Sequence, residues 1–222
     1  MSVKSFARTH LGNGVVKALA NLRAEVHILL LHRISCRKVP RILVNSPLKL
    51  NCGCGSNRKA GWINIDLTEK NADLRLDLRT RFPFPDLSAS FIYSEHFFEH
   101  LEFPTETDMF LRESLRVLIP GGRFRVGVPD TEWPLNSYVQ RDDAYFQFAR
   151  QHWHPAYCNT RLHSINYHFR QGSEHKYAYD LETLTTLLSE SGFVGIERSE
   201  FDPSLDSEHR KLGTLYVNAS KG

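Results

Sequence analysis

The amino-acid sequence predicts an α/β fold: a mostly parallel sheet of seven strands, with a shortened first connection and an N-terminal helical extension. Short apolar segments alternate with helical ones, which is the pattern of strands joined by crossover helices. The chain has 222 residues, of which 41% are hydrophobic, enough for one such domain with an appendage. Aromatic residues make up 11% of the chain, which excludes a disordered chain, a coiled coil or a collagen-like repeat.

Charge is divided unevenly along the chain, although the formal net charge is only +3. Residues 1–49 carry nine basic side chains against Glu25 alone, whereas residues 50–222 carry 19 basic and 24 acidic ones. A basic N-terminal part on a mildly acidic body favours an anionic partner, a membrane surface or a nucleic acid. We expect no membrane span and no signal peptide, and therefore a cytoplasmic protein whose four cysteines are free thiols.

The first predicted element is a helix over residues 15–34. Apolar side chains recur along it at steps of mostly three and four, at Val15, Leu19, Leu22, Val26, Leu29, Leu30 and Ile34. Two prolines follow, and we divide the chain into a basic helical extension, residues 1–46, and a main domain, residues 47–222. Two roles for the extension stay open: packing across the main domain, or peripheral contact with the inner membrane face.

The main domain supplies the predicted sheet. Strands are expected at residues 48–51, 62–66, 74–78, 90–94, 123–128, 194–198 and 213–219. Helices are expected at residues 105–118 and 181–191, the second capped by Asp180 and ended by Gly192. Residues 130–179 show no regular pattern and are expected to form an irregular cap.

The first strand ends in a glycine turn. Gly53 and Gly55 lack a Cβ, so the backbone there can turn sharply and approach a ligand closely. Asp66 ends the next strand, where its carboxylate can accept hydrogen bonds from both hydroxyls of a ribose. A nicotinamide-binding turn would need a further glycine at position 58, where the chain has Arg58.

Seven motifs in order carry a resemblance to a known family. They are L-N-C-G-C-G from Leu50, G-W-I-N-I-D-L from Gly61, D-L-R from Asp77, F-P-F-P-D from Phe82, S-E-H-F-F-E-H-L from Ser94, E-S-L-R-V-L-I-P-G-G from Glu113 and V-P-D from Val128. This succession resembles the class I S-adenosyl-L-methionine-dependent methyltransferases, and within them the type-11-like branch. The resemblance implies a Rossmann-like fold and S-adenosyl-L-methionine as the cofactor.

The resemblance also implies which residues bind that cofactor. The methionine end would lie against the glycine turn and the end of the fourth predicted strand, at Asn51, Gly53, Gly55, Ser94 and Glu95. The nucleoside would lie against Asp66 at the ribose, Leu67 at the adenine ring, and Asp77 with the Leu78 backbone at the adenine amino group.

Three departures from the family pattern concern the glycine turn. Asn51 stands where an acidic residue is often found, and Ser56 and Asn57 replace a third glycine. The first connection has only about ten residues, whereas a helical crossover needs about a dozen or more. We therefore expect a vestigial first crossover, with the N-terminal helix covering the sheet face that it leaves bare.

Three residues near the expected transfer site are candidate catalytic residues: His96, His100 and Asp130. An acceptor hydroxyl or amine needs a base with a pKa near neutrality, and histidine is the natural choice. The segment from His96 to His100 also spells H-x-x-E-H, the inverted zinc-protease signature. Because it directly follows a short strand at the ligand-facing edge, we favour a transfer-site role and predict no metal.

The sequence as a whole predicts a methyltransferase acting on a small-molecule or saccharide/glycolipid-like acceptor. The acceptor pocket is expected in the cap, from aromatic and histidine side chains, among them Trp153, His154, Tyr157, His163 and His168. The alternative is a catalytically weak cofactor-binding scaffold or a membrane-associated partner subunit. Nucleic acid is not expected as acceptor, because the body is acidic and no Asn/Asp-Pro-Pro-Tyr/Phe motif follows the fourth strand.

Overall fold

The computed structural model describes residues 12–43 and 47–222. The helices are α1 (Asn13–Cys36), α2 (Val39–Ile42), α3 (Thr105–Val117), α4 (Glu132–Gln140), α5 (Asp143–His152), α6 (Arg161–Arg170) and α7 (Leu181–Glu190). The strands are β1 (Leu48–Cys52), β2 (Ile63–Ile65), β3 (Ala89–Glu95), β4 (Leu118–Pro129), β5 (Phe193–Ser199) and β6 (Thr214–Lys221). Short 3-10 helices lie at Phe98–His100 and Glu208–Arg210.

The strands form one sheet in the order β2-β1-β3-β4-β6-β5. Neighbours from β2 to β4 are parallel, and β6 runs antiparallel between β4 and β5. The predicted α/β class with a mostly parallel sheet is therefore confirmed. The described part of the chain contributes six strands, where the sequence predicts seven.

The segment predicted as the third strand, residues 74–78, accounts for the difference. Leu74 pairs with the sheet through a single bridge to Ile65. Beyond it, the N–H of Arg75 donates to Ser35 Oγ at 2.9 Å and the N–H of Asp77 donates to His32 Nδ1 at 3.1 Å. Because these N–H groups are used by side chains of α1, they cannot pair with a neighbouring strand, and the predicted strand does not form.

The core lies on both faces of the central strands, and its packing fixes the edge where the site is found. All residues of β1 except Lys49 are buried, as expected for parallel strands covered by helices on either side. Phe110 of α3 and Leu184 of α7 pack with the strands into one hydrophobic cluster. This packing holds the carboxyl ends of β1, β3 and β4 side by side.

A polar network stabilises the connection between β1 and β2. Asn51 Nδ2 donates to the carbonyl of Asn57 and to Asn64 Oδ1, both at 2.9 Å. Asn64 Nδ2 in turn donates to Asp73 Oδ2 at 2.9 Å. Both asparagines are 2% exposed, so the network lies in the interior and holds the connection without a helix. The predicted shortening of the first crossover is confirmed.

Helix α1 contacts the edge of the sheet rather than its face. Besides His32 and Ser35, Glu25 joins it to the main domain through an ion pair with Arg79 at 2.8 Å. Seven of its apolar side chains are 47–61% exposed, namely Val15, Leu19, Leu22, Val26, Leu29, Leu30 and Ile34. The expectation that this helix covers a bare sheet face is therefore wrong. Within residues 12–43 and 47–222, no helix has the length and apolar character needed to cross a bilayer.

The segment from residue 130 to residue 179 is largely helical, which corrects the expectation of an irregular cap. Asp142 caps α5 by accepting from the N–H of Ala144 at 2.9 Å, and Thr160 caps α6 by accepting from the N–H of His163 at 3.1 Å. The helices enclose a second hydrophobic cluster. Aromatic residues obscured the helical pattern because they form the core of this cluster; the members include Tyr145 and Phe146.

Candidate functional site

The carboxyl ends of β1 and β2 meet at two turns that are joined by a hydrogen bond. Gly53 and Gly55 have φ angles of +69° and +47°, in the left-handed region that favours glycine. The N–H of Gly55 donates to Asp66 Oδ2 at 2.9 Å. The other oxygen, Oδ1, accepts from the N–H groups of Thr68 and Glu69, both at 2.8 Å. The glycine turn and the predicted ribose-binding carboxylate therefore adjoin.

The two glycines have different surroundings. A Cβ added at Gly53 would lie 2.4 Å from Phe97 Cβ, whereas nothing lies within 4 Å of one added at Gly55. Gly53 thus makes room for Phe97, which packs the loop after β3 against the turn after β1. The open side of the turn is at Gly55, next to Asp66.

The residues assigned to the adenine lie where α1 meets the sheet edge. The carboxylate of Asp77 accepts from the N–H of Arg79 at 3.0 Å and from its Nε at 2.9 Å. Leu78 is buried, and the carbonyl of Leu67 accepts from Arg75 Nε at 3.0 Å. A cavity of about 300 Å³ opens between α1 and this loop, bounded on one side by Asp77.

Three further predicted cofactor residues are buried beneath the turn. Asn51 belongs to the network between β1 and β2, and its amide hydrogens are used there. Glu95 accepts from the N–H of Ser207 at 3.0 Å and from the hydroxyl of Tyr216 at 2.8 Å. Burial would raise the pKa of Glu95, but these hydrogen bonds outweigh it and lower that pKa. Ser94 Oγ is buried without a hydrogen-bond partner.

His96 lies directly after β3, with a left-handed backbone at φ +52°. Its Nε2 lies 2.9 Å from Thr214 Oγ1, and that hydroxyl donates to the carbonyl of Arg210 at 2.6 Å. Because the hydroxyl hydrogen is used, Nε2 carries the proton and Nδ1 the lone pair. Burial, helped by the charge of Arg210, holds the pKa of His96 well below its usual range. The ring is therefore neutral at physiological pH.

A cavity of about 220 Å³ opens beside His96, between the helical cap and the loop before β6. Three of the five predicted pocket residues line it: Trp153, His154 and His168. Tyr157 is 61% exposed, and His163 bonds to Asn159 at 3.0 Å, away from the lining.

The sequence analysis did not identify the segment before β6 or the first residue of that strand, which line the same cavity. The lining residues there are His209, Arg210, Leu212, Gly213 and Thr214. One signal was available. Gly213 has a φ of +76°, and a Cβ there would lie 2.7 Å from the ring of Trp153. A glycine just before a strand often marks such a close approach.

His100 and Asp130 do not line this cavity. Asp130 Oδ1 accepts from the N–H of Glu132 at 2.9 Å, at the start of α4, and Oδ2 lies 3.8 Å from Arg198. His100 lies on the 3-10 helix and directs Nε2 toward Glu99. The left-handed backbone of His96 precedes that short helix, so the H-x-x-E-H segment is not the continuous helix of a zinc protease. Among the three catalytic candidates, His96 faces the cavity.

One family model matches the part of the chain that contains this site. Residues 50–126 match the type-11 family model described as "Methyltransferase domain". The matched segment is about a third of the chain. The matched residues run from β1 into β4 and include the glycine turn, Asp66 and His96. The match supports the predicted family over these residues, and with it S-adenosyl-L-methionine as the cofactor.

Several solved structures resemble the chain at low sequence identity. A possible histamine N-methyltransferase from Thermotoga maritima is 16% identical, with 90% of this chain and 96% of that chain covered and a TM-score of 0.47. An S-adenosylmethionine-dependent methyltransferase from Mesorhizobium loti is 19% identical, with 82% and 95% covered and a TM-score of 0.47. Another from Archaeoglobus fulgidus is 15% identical, with 85% and 93% covered and a TM-score of 0.46. The search of curated proteins found no match.

The residues around the glycine turn fit the cofactor of this methyltransferase domain. Space is open at Gly55, a carboxylate adjoins it at Asp66, and Ser94 offers a buried hydroxyl without a partner. When bound, the cofactor supplies a methyl group on a sulfonium sulfur. The chain's own task is then to hold the acceptor in line with that group and to exclude water.

Proposed function

We propose that the methyltransferase domain transfers a methyl group to a small-molecule or saccharide-like acceptor bound in the cavity beside His96. The observation that carries the proposal is the position of this cavity. It opens past β3 and β4, and ligands of such sheets lie at the carboxyl ends of the strands. Its lining combines an aromatic face at Trp153 with polar groups such as Arg210, which suits a ring bearing hydroxyls.

The same proposal gives the cofactor-binding residues their places. Gly53 and Gly55 would hold the methionine end and Asp66 the ribose. Asp77, Leu67 and the Leu78 backbone would meet the adenine, at the end of the cavity beside α1. Asn51, Ser94 and Glu95 would support the turn from the interior, Ser94 with its unpartnered hydroxyl.

His96 is the catalytic residue in this proposal. It lines the cavity and is neutral, with a pKa well below the near-neutral value expected from the sequence. Its Nδ1 lone pair, 3.5 Å from Glu99 Oε1, would take a proton from an acceptor hydroxyl or amine, and that side chain would stabilise the charged ring. His100 and Asp130 would act as positioning residues, His100 beside Glu99 and Asp130 at the start of α4.

Turnover with a panel of acceptors tests this function. Purified protein would be incubated with S-adenosyl-L-methionine and monosaccharides, phenols or amines, and methylated products detected by mass spectrometry. With a responsive acceptor, His96→Ala is expected to lower kcat by about 100-fold or more. The exposed His163→Ala, the matched control, should keep it. Cofactor binding without turnover of any acceptor would favour the scaffold alternative, and an unchanged kcat in His96→Ala would remove the base from the proposal.

We further propose that the N-terminal extension brings this domain to the inner face of a membrane, with the protein in the cytoplasm. Seven apolar side chains of α1 are about half exposed, and exposed basic residues accompany them, including Lys17, Arg23 and Arg33. Exposed apolar and basic side chains on one helix favour contact with an anionic bilayer. The four cysteines, all within the described residues, form no disulfide, which suits a reducing compartment.

Sedimentation with lipid vesicles tests the membrane contact. The full chain is expected to sediment with vesicles containing phosphatidylserine, and less so at high salt because screening weakens the attraction. A Leu22→Glu/Leu29→Glu variant, which places two charges in the apolar row, should stay in the supernatant. Equal sedimentation of the two proteins would contradict the proposal.

A further inference from the structure

Glu99, His100 and His175 form a cluster below the cavity. One ligand atom of each lies within 4.8 Å of the others. Glu99 Oε1 is 4.0 Å from Nε2 of His100 and 4.0 Å from Nε2 of His175. Glu99 is 1% exposed, and neither of its carboxylate oxygens has a hydrogen-bond partner. Buried polar groups are normally hydrogen-bonded, so this carboxylate requires an explanation.

Both imidazole rings turn a lone pair, and not an N–H group, toward the carboxylate. His100 Nδ1 lies 3.1 Å from the carbonyl of Glu174, and His175 Nδ1 lies 3.1 Å from the carbonyl of His168. A carbonyl oxygen only accepts, so each Nδ1 carries the hydrogen and each neutral ring has its lone pair on Nε2. When Glu99 is ionised, three acceptors therefore converge. Burial raises the pKa of Glu99 to about 8, so a bound ion would replace the proton that this carboxyl group otherwise holds. Burial lowers the pKa of both rings, which favours the neutral form.

We propose that Glu99, His100 and His175 bind one divalent transition-metal ion of the zinc type. Two imidazole nitrogens and one carboxylate oxygen suit zinc, whereas magnesium and calcium prefer oxygen ligands throughout. Each ring already has its Nδ1–H fixed by a backbone carbonyl, which is how zinc-binding histidines are commonly oriented. The dication would also compensate the charge of the buried carboxylate.

The dimensions of the cluster are close to those that zinc requires. Donor atoms of a tetrahedral zinc site lie about 3.3 Å apart, since the bonds are about 2.0–2.1 Å long. The separations of 4.0 Å from Glu99 Oε1 would have to shorten by about 0.7 Å. A void of about 10 Å³, bounded by Glu99 and His175, adjoins the cluster. The side chain of His100 is 36% exposed, which gives the ion a route from solvent.

The ion would connect two segments that are distant in sequence: the 3-10 helix after β3 and the loop before α7. Because His175 also lines the cavity beside His96, the ion would fix the wall of that cavity. His96 is not in the proposed ligand set. Its Nδ1 lies 3.5 Å from Glu99 Oε1, so the ion would be its neighbour. The inference rests on the cluster itself and does not depend on which acceptor is methylated.

Metal binding by the full chain tests the site. Chelator-treated protein would be titrated with Zn²⁺ by calorimetry, and cobalt would be added separately as a spectroscopic probe. We expect one zinc ion per chain, and the intense visible absorption of four-coordinate Co²⁺. Glu99→Gln and His175→Ala should each weaken zinc binding at least tenfold and abolish that absorption. His163→Ala, which removes an exposed histidine outside the cluster, should bind like the wild type.

Thermal unfolding supplies a readout that is independent of affinity. In chelator, Glu99→Gln should melt at or above the wild-type temperature, because it removes a buried carboxylate without a partner. Added Zn²⁺ should raise the melting temperature of the wild type and leave that of Glu99→Gln unchanged. Equal zinc binding by the wild type, Glu99→Gln and His175→Ala would place the ion on surface histidines and overturn the proposal. A wild-type protein that neither binds zinc nor gains stability from it would overturn it as well.

Discussion

Replacing Gly53 by alanine tests the construction of the glycine turn. The new Cβ would lie 2.4 Å from Phe97 Cβ and 2.5 Å from its Cγ. A φ of +69° costs a residue with a Cβ about 1–2 kcal/mol, and relieving the clash costs about 1–3 kcal/mol more. Gly53→Ala should therefore lower the free energy of unfolding by about 2–5 kcal/mol. In Gly55→Ala the new Cβ has open space around it, so only the cost of the left-handed backbone remains, about 1–2 kcal/mol of unfolding free energy.

Urea denaturation followed by circular dichroism would measure both variants. The double variant Gly53→Ala/Phe97→Ala should lose less unfolding free energy than the two single variants lose together, because the two residues share one contact. Gly55→Ala should also weaken the binding of S-adenosyl-L-methionine, since its methyl group enters the space beside Asp66. Equal destabilisation by the two alanines would refute the close contact between Gly53 and Phe97. An unchanged affinity of Gly55→Ala for S-adenosyl-L-methionine would refute the placement of the cofactor on the Gly55 side of the turn.

Three other predictions concern stability. His32→Ala removes the acceptor of the Asp77 N–H and should lower the free energy of unfolding in urea by about 1 kcal/mol. The control variant at an exposed position, His27→Ala, should change this free energy little. Equal losses in the two variants would contradict a role for the His32 contact. Arg125→Ala leaves the buried carboxylate of Asp206 without its ion-pair partner and should lower the free energy of unfolding by about 3–5 kcal/mol. The exposed Arg123→Ala should change it by no more than about 0.5 kcal/mol. Similar losses in the two variants would contradict the contribution of the buried pair. Burial lowers the pKa of His154 from 6.5 to about 4. The unfolded chain therefore binds more protons between those values, and stability present above pH 6.5 is lost as the pH falls toward 4. In His154→Asn, the free energy of unfolding should fall less steeply over this pH range than in the wild type. Parallel curves of unfolding free energy against pH would refute this prediction.

The parts of the fold that follow local patterns could be predicted from the sequence. Apolar runs between glycines and prolines located β1, β2 and β3. Asp180 was predicted to cap the helix that it precedes, and its side chain accepts from the N–H of Thr183 at 2.8 Å. The glycine turn and Asp66 were predicted together, because the ends of adjacent parallel strands must meet.

Features that depend on contacts between distant segments could not be predicted in this way. Residues 74–78 have the apolar pattern of a strand, but side chains of α1 take up their N–H groups. The loop before β6 reaches the cavity through tertiary packing against Trp153, which no local pattern records. Likewise, the H-x-x-E-H segment gave no hint of His175, which the fold brings beside Glu99.

The central claim is that the glycine turn and Asp66 form the cofactor site of this domain. Calorimetric titration of the full chain with S-adenosyl-L-methionine, for the wild type and for Asp66→Asn, tests it most directly. Asparagine keeps the size of the side chain but cannot accept hydrogen bonds through both of its polar atoms. We predict one-to-one binding by the wild type and by an exposed control, Asp108→Asn, and at least tenfold weaker binding by Asp66→Asn. No binding by the wild type, or equal affinity in all three proteins, would contradict the claim.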